Sequence, residues 1–219
     1  MISSAMSSMS ETKFHKTSIR PSQSLRRHFL SLGRQVLRWS EQRPIRTVTL
    51  GVTCLNGDEG TSTVSFNLAS ALTTLVGCDV LFVESDFGSS YLSRKKEVGL
   101  SEVLQGTAEA DDLIRKFREN EHLFAMESGK VKEKESIESP VHNLSAVIQE
   151  RFNRFDYVVF DLPVSDGLTA CDSLASQLDG VLLVVDGTAI NREQVATFRT
   201  RMKRLGVEIV GLAVNKAKY

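Results

Sequence analysis

VTLGVTCLNGDEGTSTVSFNLA, residues 48 to 69, joins a β-rich run to a helix through a polar, glycine-containing turn. Val48 to Cys54 form the strand and Asn56 to Gly60 the turn. Ser62 and Thr63 then open a helix with apolar positions at Val64, Leu68, Ala69 and Leu72. This is the frame of a phosphate-binding loop, G-x-x-x-x-G-K-[ST], whose backbone N–H groups cradle phosphates. In that pattern the Lys reaches the outer phosphate oxygens and the hydroxyl holds Mg²⁺. Gly60 takes the place of the second Gly and Ser62 that of the hydroxyl. Thr61 stands where the Lys belongs, and Leu55 where the first Gly belongs. The scaffold of a nucleotide site is present, but its principal charge is missing.

The rest of the chain suits one α/β domain. Its 219 residues are 41% hydrophobic and 25% charged, enough for a single core of useful size. Net charge is zero, so no long-range field draws the protein to nucleic acid or anionic lipid. Cys54, Cys78 and Cys171 are far apart and lack metal-ligand spacing, which predicts reduced thiols in a cytoplasmic protein. No apolar run reaches the roughly 18 residues of a membrane span. The opening MISSAMSSMS lacks the basic and apolar regions of a signal peptide.

Residues 1–21 are polar and rich in Ser, Thr and Met, and are predicted to be a disordered tail. The domain then spans 22–219. It begins with an amphipathic helix to about residue 40, whose apolar positions Leu25, Phe29, Leu32, Val36, Leu37 and Trp39 alternate with Arg26, Arg27, Arg34 and Arg38. That helix is expected to pack on the domain or on another subunit. Strands are predicted at 46–54, 79–84, 122–126, 156–161, 180–186 and 208–214. Helices are predicted at about 63–76, 109–119, 138–153, 167–177 and 191–205. Alternating β and α implies a doubly wound, mostly parallel sheet of about six or more strands with helices on both faces. The charged stretch 127–139 reads as a surface loop.

Ligands of such sheets lie beyond the carboxyl ends of the strands, and three strands end in acids. Val80 to Val83 runs into Glu84-Ser85-Asp86, Tyr157 to Phe160 into Asp161, and Val181 to Val185 into Asp186. An apolar strand closed by Asp is the arrangement that orients Mg²⁺ or its water shell. Asp186-Gly187 is also a good turn pair. Asn215-Lys216 closes the last strand as a base-facing loop, without the Asp two residues on that guanine recognition would need.

At these residues the chain resembles the deviant-Walker P-loop ATPases. Within them it is most similar to the cytoplasmic domains of bacterial tyrosine kinases of capsule and exopolysaccharide synthesis. The family's P-G-E-G-K-S-T-x-x-x-N-L-A lies over Gly57 to Ala69 and its D-x-D over Glu84-Ser85-Asp86. Its G-L-S-D-V-L-x-G lies over Gly99 to Gly106, and its Y-D-Y-V-I-I-D-T-P-P begins at Phe155 and runs through Asp161 and Pro163. Its A-D-G-V-L-L-V-V lies over Leu178 to Val185, and R-L-G-x-x-x-x-G-x-x-x-N over Arg204 to Asn215. The resemblance spans about residues 22 to 216.

It implies ATP or ADP with Mg²⁺ as ligands. Gly57, Glu59, Gly60, Thr61, Ser62, Thr63 and Asn215 would contact the nucleotide, with Ser62, Asp86 and Asp161 around the metal. Asp86 and Asp161 would be the catalytic carboxylates. The departures fall on these functional positions: Thr61 for the Lys, Asp58 for a loop Gly, and Glu84 for the first Asp of D-x-D. Gln23, Arg26 and Phe29 occupy the E-x-x-R-x-x-R positions of ring assembly, and a single Tyr219 replaces the usual terminal tyrosine cluster.

Two unit charges about 5 Å apart at an effective dielectric near 20 interact by roughly 3 kcal/mol. Losing Lys and gaining Asp58 is therefore expected to cost on the order of 10³-fold in affinity or rate. The expected function is a nucleotide-impaired regulatory or assembly subunit of polysaccharide synthesis or export. It would dock on a transmembrane co-polymerase or activator at the inner face of the membrane, as a homo-oligomer or beside an active paralogous kinase. One alternative is a working autokinase with a relocated basic residue, for which Arg94, Lys95 and Lys96 are nearest by topology. A partitioning-type ATPase is the other alternative, disfavoured because zero net charge and the lack of a basic stripe argue against a nucleic-acid partner.

Overall fold

Runs such as Val80 to Val83 are apolar at every position because both faces of their sheet are covered. The computed structural model describes residues 22–43, 46–87, 91–92, 98–129, 143–165 and 169–216. The stretch 1–21, most of 127–139, Arg94 to Lys96, Lys218 and Tyr219 lie outside them.

The seven described strands are β1 (Val48–Cys54), β2 (Val80–Glu84), β3 (Arg115–Phe117), β4 (Asn120–Met126), β5 (Tyr157–Asp161), β6 (Gly180–Asp186) and β7 (Ile209–Asn215). They form one sheet in the order β3-β4-β2-β5-β1-β6-β7. Every pairing is parallel except the β3–β4 hairpin, which is antiparallel and irregular at Lys116/Phe117. All six predicted strands are present. The prediction of a helix over 109–119 is corrected: α4 (Ala110–Leu113) is one turn, and the chain then pairs as β3.

Two helices cover one face, α1 (Gln23–Ser40) and α2 (Thr61–Val76). Their apolar residues join Leu50, Val52, Phe82, Val159, Leu182 and Val184 in one core. The other face is covered by α3 (Leu100–Leu104), α4, α5 (Leu144–Val147) with its π-helical continuation Ile148–Phe152, α6 (Thr169–Ala175) and α7 (Arg192–Arg204). Those helices pack on Leu81, Val83, Val158, Phe160, Leu183 and Val185.

The amphipathic first helix is spent on the fold. Ser22 caps its N-terminus, Phe29 and Val36 are buried, Trp39 Nε1 donates to Glu208 Oε1 at 2.9 Å, and Ser40 Oγ lies 2.8 Å from the Tyr157 hydroxyl. Burial of Phe29 also removes the last ring-assembly position from the surface. No described helix is long and apolar enough to cross a membrane. Cys54 and Cys171 are buried free thiols and Cys78 is half-buried.

Candidate nucleotide-binding site

The loop between β1 and α2 lies where the chain leaves the centre of the sheet, β1 being flanked by β5 and β6. Gly57 and Gly60 adopt φ of 92° and 83°, values a side chain rarely tolerates. A Cβ on Gly60 would also stand 2.6 Å from the Asn215 amide nitrogen. Glu59 is buried and turns back into the loop: its carboxylate accepts the Asn56 N–H at 3.0 and 3.2 Å and the Asn56 side-chain amide at 2.9 Å. The loop is thus stapled by its own acid.

Among the described residues, the N–H groups of Asp58 to Thr63 donate no hydrogen bond. They stand at the positive end of a 16-residue helix. A row of free donors at a helix N-terminus is an anion site.

Thr61, in the place of the lysine, is buried at 7% exposure, and its hydroxyl, beside the Cys54 thiol, is buried without a hydrogen-bond partner. Burial is the main reason that the thiol is pushed up to about 11, with Thr61 working against it and Glu59 with it. Position 61 therefore offers the phosphates no ammonium.

Asp161 closes β5 under the first turn of α2. Ser65 Oγ donates to its Oδ1 at 3.1 Å, the Ser62 hydroxyl faces it, and its Oδ2 is buried without a hydrogen-bond partner. Burial pushes this carboxyl up to about 7. The Ser62 and Ser65 hydroxyls oppose the shift, and Glu84 and Asp86 reinforce it. A buried carboxylate oxygen with no partner beside a serine hydroxyl fits Mg²⁺, which takes hard oxygen ligands. Among the described residues no group of three His, Cys, Asp or Glu could hold a metal by itself. Mg²⁺ is commonly bound through one or two protein oxygens together with phosphates and waters.

Asp86 is half-buried at the same edge and acts on Asp161 through charge. Glu84 does something else: its Oε1 accepts the N–H groups of Tyr91 and Leu92, the latter at 2.9 Å, and so ties down the chain beyond β2. The Thr63 side chain faces the Tyr91 hydroxyl. Asn215 Nδ2 donates to the Glu59 carbonyl at 2.7 Å, so its amide is engaged with the loop itself. The fold therefore brings Gly57, Glu59, Gly60, Thr61, Ser62, Thr63, Asp161 and Asn215 into one place, with Asp86 at its edge.

Sequence reasoning passed over Lys216 as a loop contact. Its Nζ donates to the Asp58 carbonyl and lies 3.3 Å from Asp186 Oδ2. The quoted Asn215-Lys216 pair was the available signal, but nothing in it tells that the ammonium turns to a loop more than 150 residues away.

No family model matches the chain. It is 28% identical over 172 residues to the tyrosine-protein kinase CpsD of Streptococcus agalactiae, covering 76% of this chain and 74% of the relative. Among solved structures, the kinase domain of the Escherichia coli tyrosine kinase ETK superposes with a TM-score of 0.71 at 23% identity, over 87% of this chain and 78% of that one. The septum site-determining protein MinD of Pyrococcus horikoshii, solved with Mg-ADP, superposes at 0.63 and 22% identity, over 77% and 70%. At such identities the structural likeness carries the fold, and the curated relative carries the kinship.

Proposed function

We propose, from the premise that this chain is a bacterial tyrosine-kinase-like P-loop ATPase domain, that it binds a nucleotide diphosphate with Mg²⁺ but is impaired in phosphoryl transfer. Its role is that of a regulatory or assembly subunit in capsule or exopolysaccharide synthesis or export. It docks there on a transmembrane co-polymerase or activator at the cytoplasmic face, alone or beside an active paralogue. The observation that carries this reading is the pairing of a free N–H nest with a buried, hydroxyl-bearing residue at position 61. Phosphates find donors there, yet position 61 has no ammonium to follow the charge that builds on the transferred group.

The chain's residues divide the work accordingly. The N–H groups of Asp58 to Thr63 bind the β-phosphate. Ser62 and Asp161 hold Mg²⁺, which neutralises phosphate charge when bound. Asp86 stands where an attacking hydroxyl would be activated.

Calorimetry with Mg-ADP and Mg-ATP, paired with a phosphate-release assay, tests the proposal. Affinity between about 10 μM and 1 mM without turnover is expected. Sub-micromolar affinity with turnover would replace it by a working autokinase. No heat at millimolar nucleotide would leave only the shared fold.

A further inference from the structure

The end of β7 grips the phosphate loop from behind. Asn215 donates to the carbonyl of Glu59 and Lys216 to the carbonyl of Asp58. Lys216 does so from a φ of 54°, a conformation uncommon for a residue with a side chain. The backbone is bent where the ammonium is aimed. Asp186, ending the neighbouring strand β6, holds the same ammonium from the other side at 3.3 Å.

A peptide group is planar and trans, so each C=O points opposite to the N–H that follows it. Drawing the carbonyls of Asp58 and Glu59 towards β7 turns the N–H groups of Glu59 and Gly60 the other way, and both are free of partners among the described residues. The clamp thus aims two of the nest's donors. It also places a positive charge against the convex side of a loop that has none at position 61.

We propose that Asn215 and Lys216 are positioning residues for the phosphate nest, and that Lys216 supplies from behind the loop the charge that Thr61 withholds. The ligand class is the diphosphate of a nucleotide, and this inference rests on the nucleotide-binding reading above. Lys216 acts through the peptide of Asp58 and Glu59, so it tunes binding of the diphosphate without reaching the outermost phosphate.

The test uses the full chain with Lys216→Met and Lys216→Arg. Each is titrated with Mg-ADP and with Mg-pyrophosphate, while amide resonances of Glu59 and Gly60 are followed by NMR. Lys216 is an exposed side chain, so both variants are expected to melt as the wild type does. Lys216→Met should weaken both ligands by about tenfold, and Lys216→Arg should stay within about threefold of wild type.

The Glu59 and Gly60 amides should move in the Met variant and return in the Arg variant. Equal binding by wild type and Lys216→Met, or an Arg variant as weak as the Met variant, overturns the proposal. If wild type takes neither ligand, the nucleotide-binding reading fails, and the clamp is judged by the amides alone. Resonances that stay put in Lys216→Met overturn it in either case.

Discussion

Glu84 and Asp161 are register partners at the ends of β2 and β5, and each is about 1% exposed. Both follow an unbroken apolar strand, yet their surroundings use them differently. Beyond Glu84 the chain folds back, so the Tyr91 and Leu92 N–H groups fall on its carboxylate. Beyond Asp161 the chain crosses β1, where Leu162 N–H finds the Val52 carbonyl and Ser165 N–H the Cys54 carbonyl. Those donors are satisfied elsewhere, and Asp161 is left facing two serine hydroxyls. An acid at a strand end becomes structural or ligand-directed according to where the next few N–H groups go.

The largest effect that would sharpen this contrast comes from restoring the missing charge. Asp58→Gly with Thr61→Lys should strengthen Mg-ATP binding by roughly 2 to 4 kcal/mol, since both changes act on the same phosphates. Thr61→Lys alone should gain less, because its ammonium would pair partly with Asp58. In the doubly changed protein, Asp161→Ala should abolish the Mg²⁺-dependent part of the gain, and Glu84→Gln should not. Calorimetry with and without Mg²⁺ reads all four. If Glu84→Gln removes the metal dependence, the assignment of roles is inverted.

Next in size is the response of the free protein to pH. The Asp161 carboxyl is raised from its ordinary 3.8 to about 7. Between those values the folded state keeps a proton that the unfolded chain gives up. Stability therefore falls as pH rises through that window, by up to about 4 kcal/mol once the folded group has ionised. Asp161→Asn should flatten the slope and raise the melting temperature at pH 8 while changing it little at pH 4. Mg²⁺ affinity should move the opposite way in the wild type, growing as the carboxyl ionises. A slope that survives Asp161→Asn would place the titrating group elsewhere.

Glu84 should show the reverse pattern. Glu84→Ala strips the acceptor from two backbone N–H groups, one of them on the buried Leu92, and should cost about 2 kcal/mol by urea unfolding. Glu84→Gln keeps an acceptor oxygen and should cost under about 1 kcal/mol. Both remove a charge that helps raise the Asp161 carboxyl, so both should move the pH window slightly downward without abolishing it. Equal loss in both variants would mean that the charge, and not the hydrogen bonding, is what the fold uses.

Sequence patterning carried the architecture because it is local. Buried parallel strands read as unbroken apolar runs, and Gly57, Gly60 and the hydroxyls after them mark the loop without help from the rest of the chain. β3 was missed because Asp111 to Phe117 has helical spacing and only three residues pair; the turn at Arg118-Glu119 decides the hairpin. The helix expected over 138–153 appears, within the described residues, as four α-helical residues and a π-helical turn. Site chemistry was legible as positions and not as roles. That Thr61 faces Cys54, that Glu59 staples the loop and that Lys216 reaches Asp58 are facts of packing between distant segments. The basic residues chosen by topology, Arg94 to Lys96, lie outside the described residues.

Asp186, the third acidic strand end, should give the smallest effect. It is half-buried, unlike the other two; its Oδ1 takes the Thr188 N–H at 2.9 Å and the Thr188 hydroxyl at 2.6 Å, and Oδ2 faces Lys216. Those bonds, the Thr188 hydroxyl first and Lys216 last, hold its carboxyl below the ordinary range. Its contribution is therefore present at neutral pH and lost on acidification below the usual carboxylate range. Water competes for every partner it has, and a partly exposed pair of opposite charges is screened. Asp186→Asn retains an oxygen for Thr188 and should shift the melting temperature by no more than about 1 °C. The shift should shrink further in high salt. If Asp186→Asn instead destabilises as strongly as Glu84→Ala, burial does not separate the strand-end acids. The contrast between Glu84 and Asp161 would then need a cause other than the fate of the N–H groups beyond them.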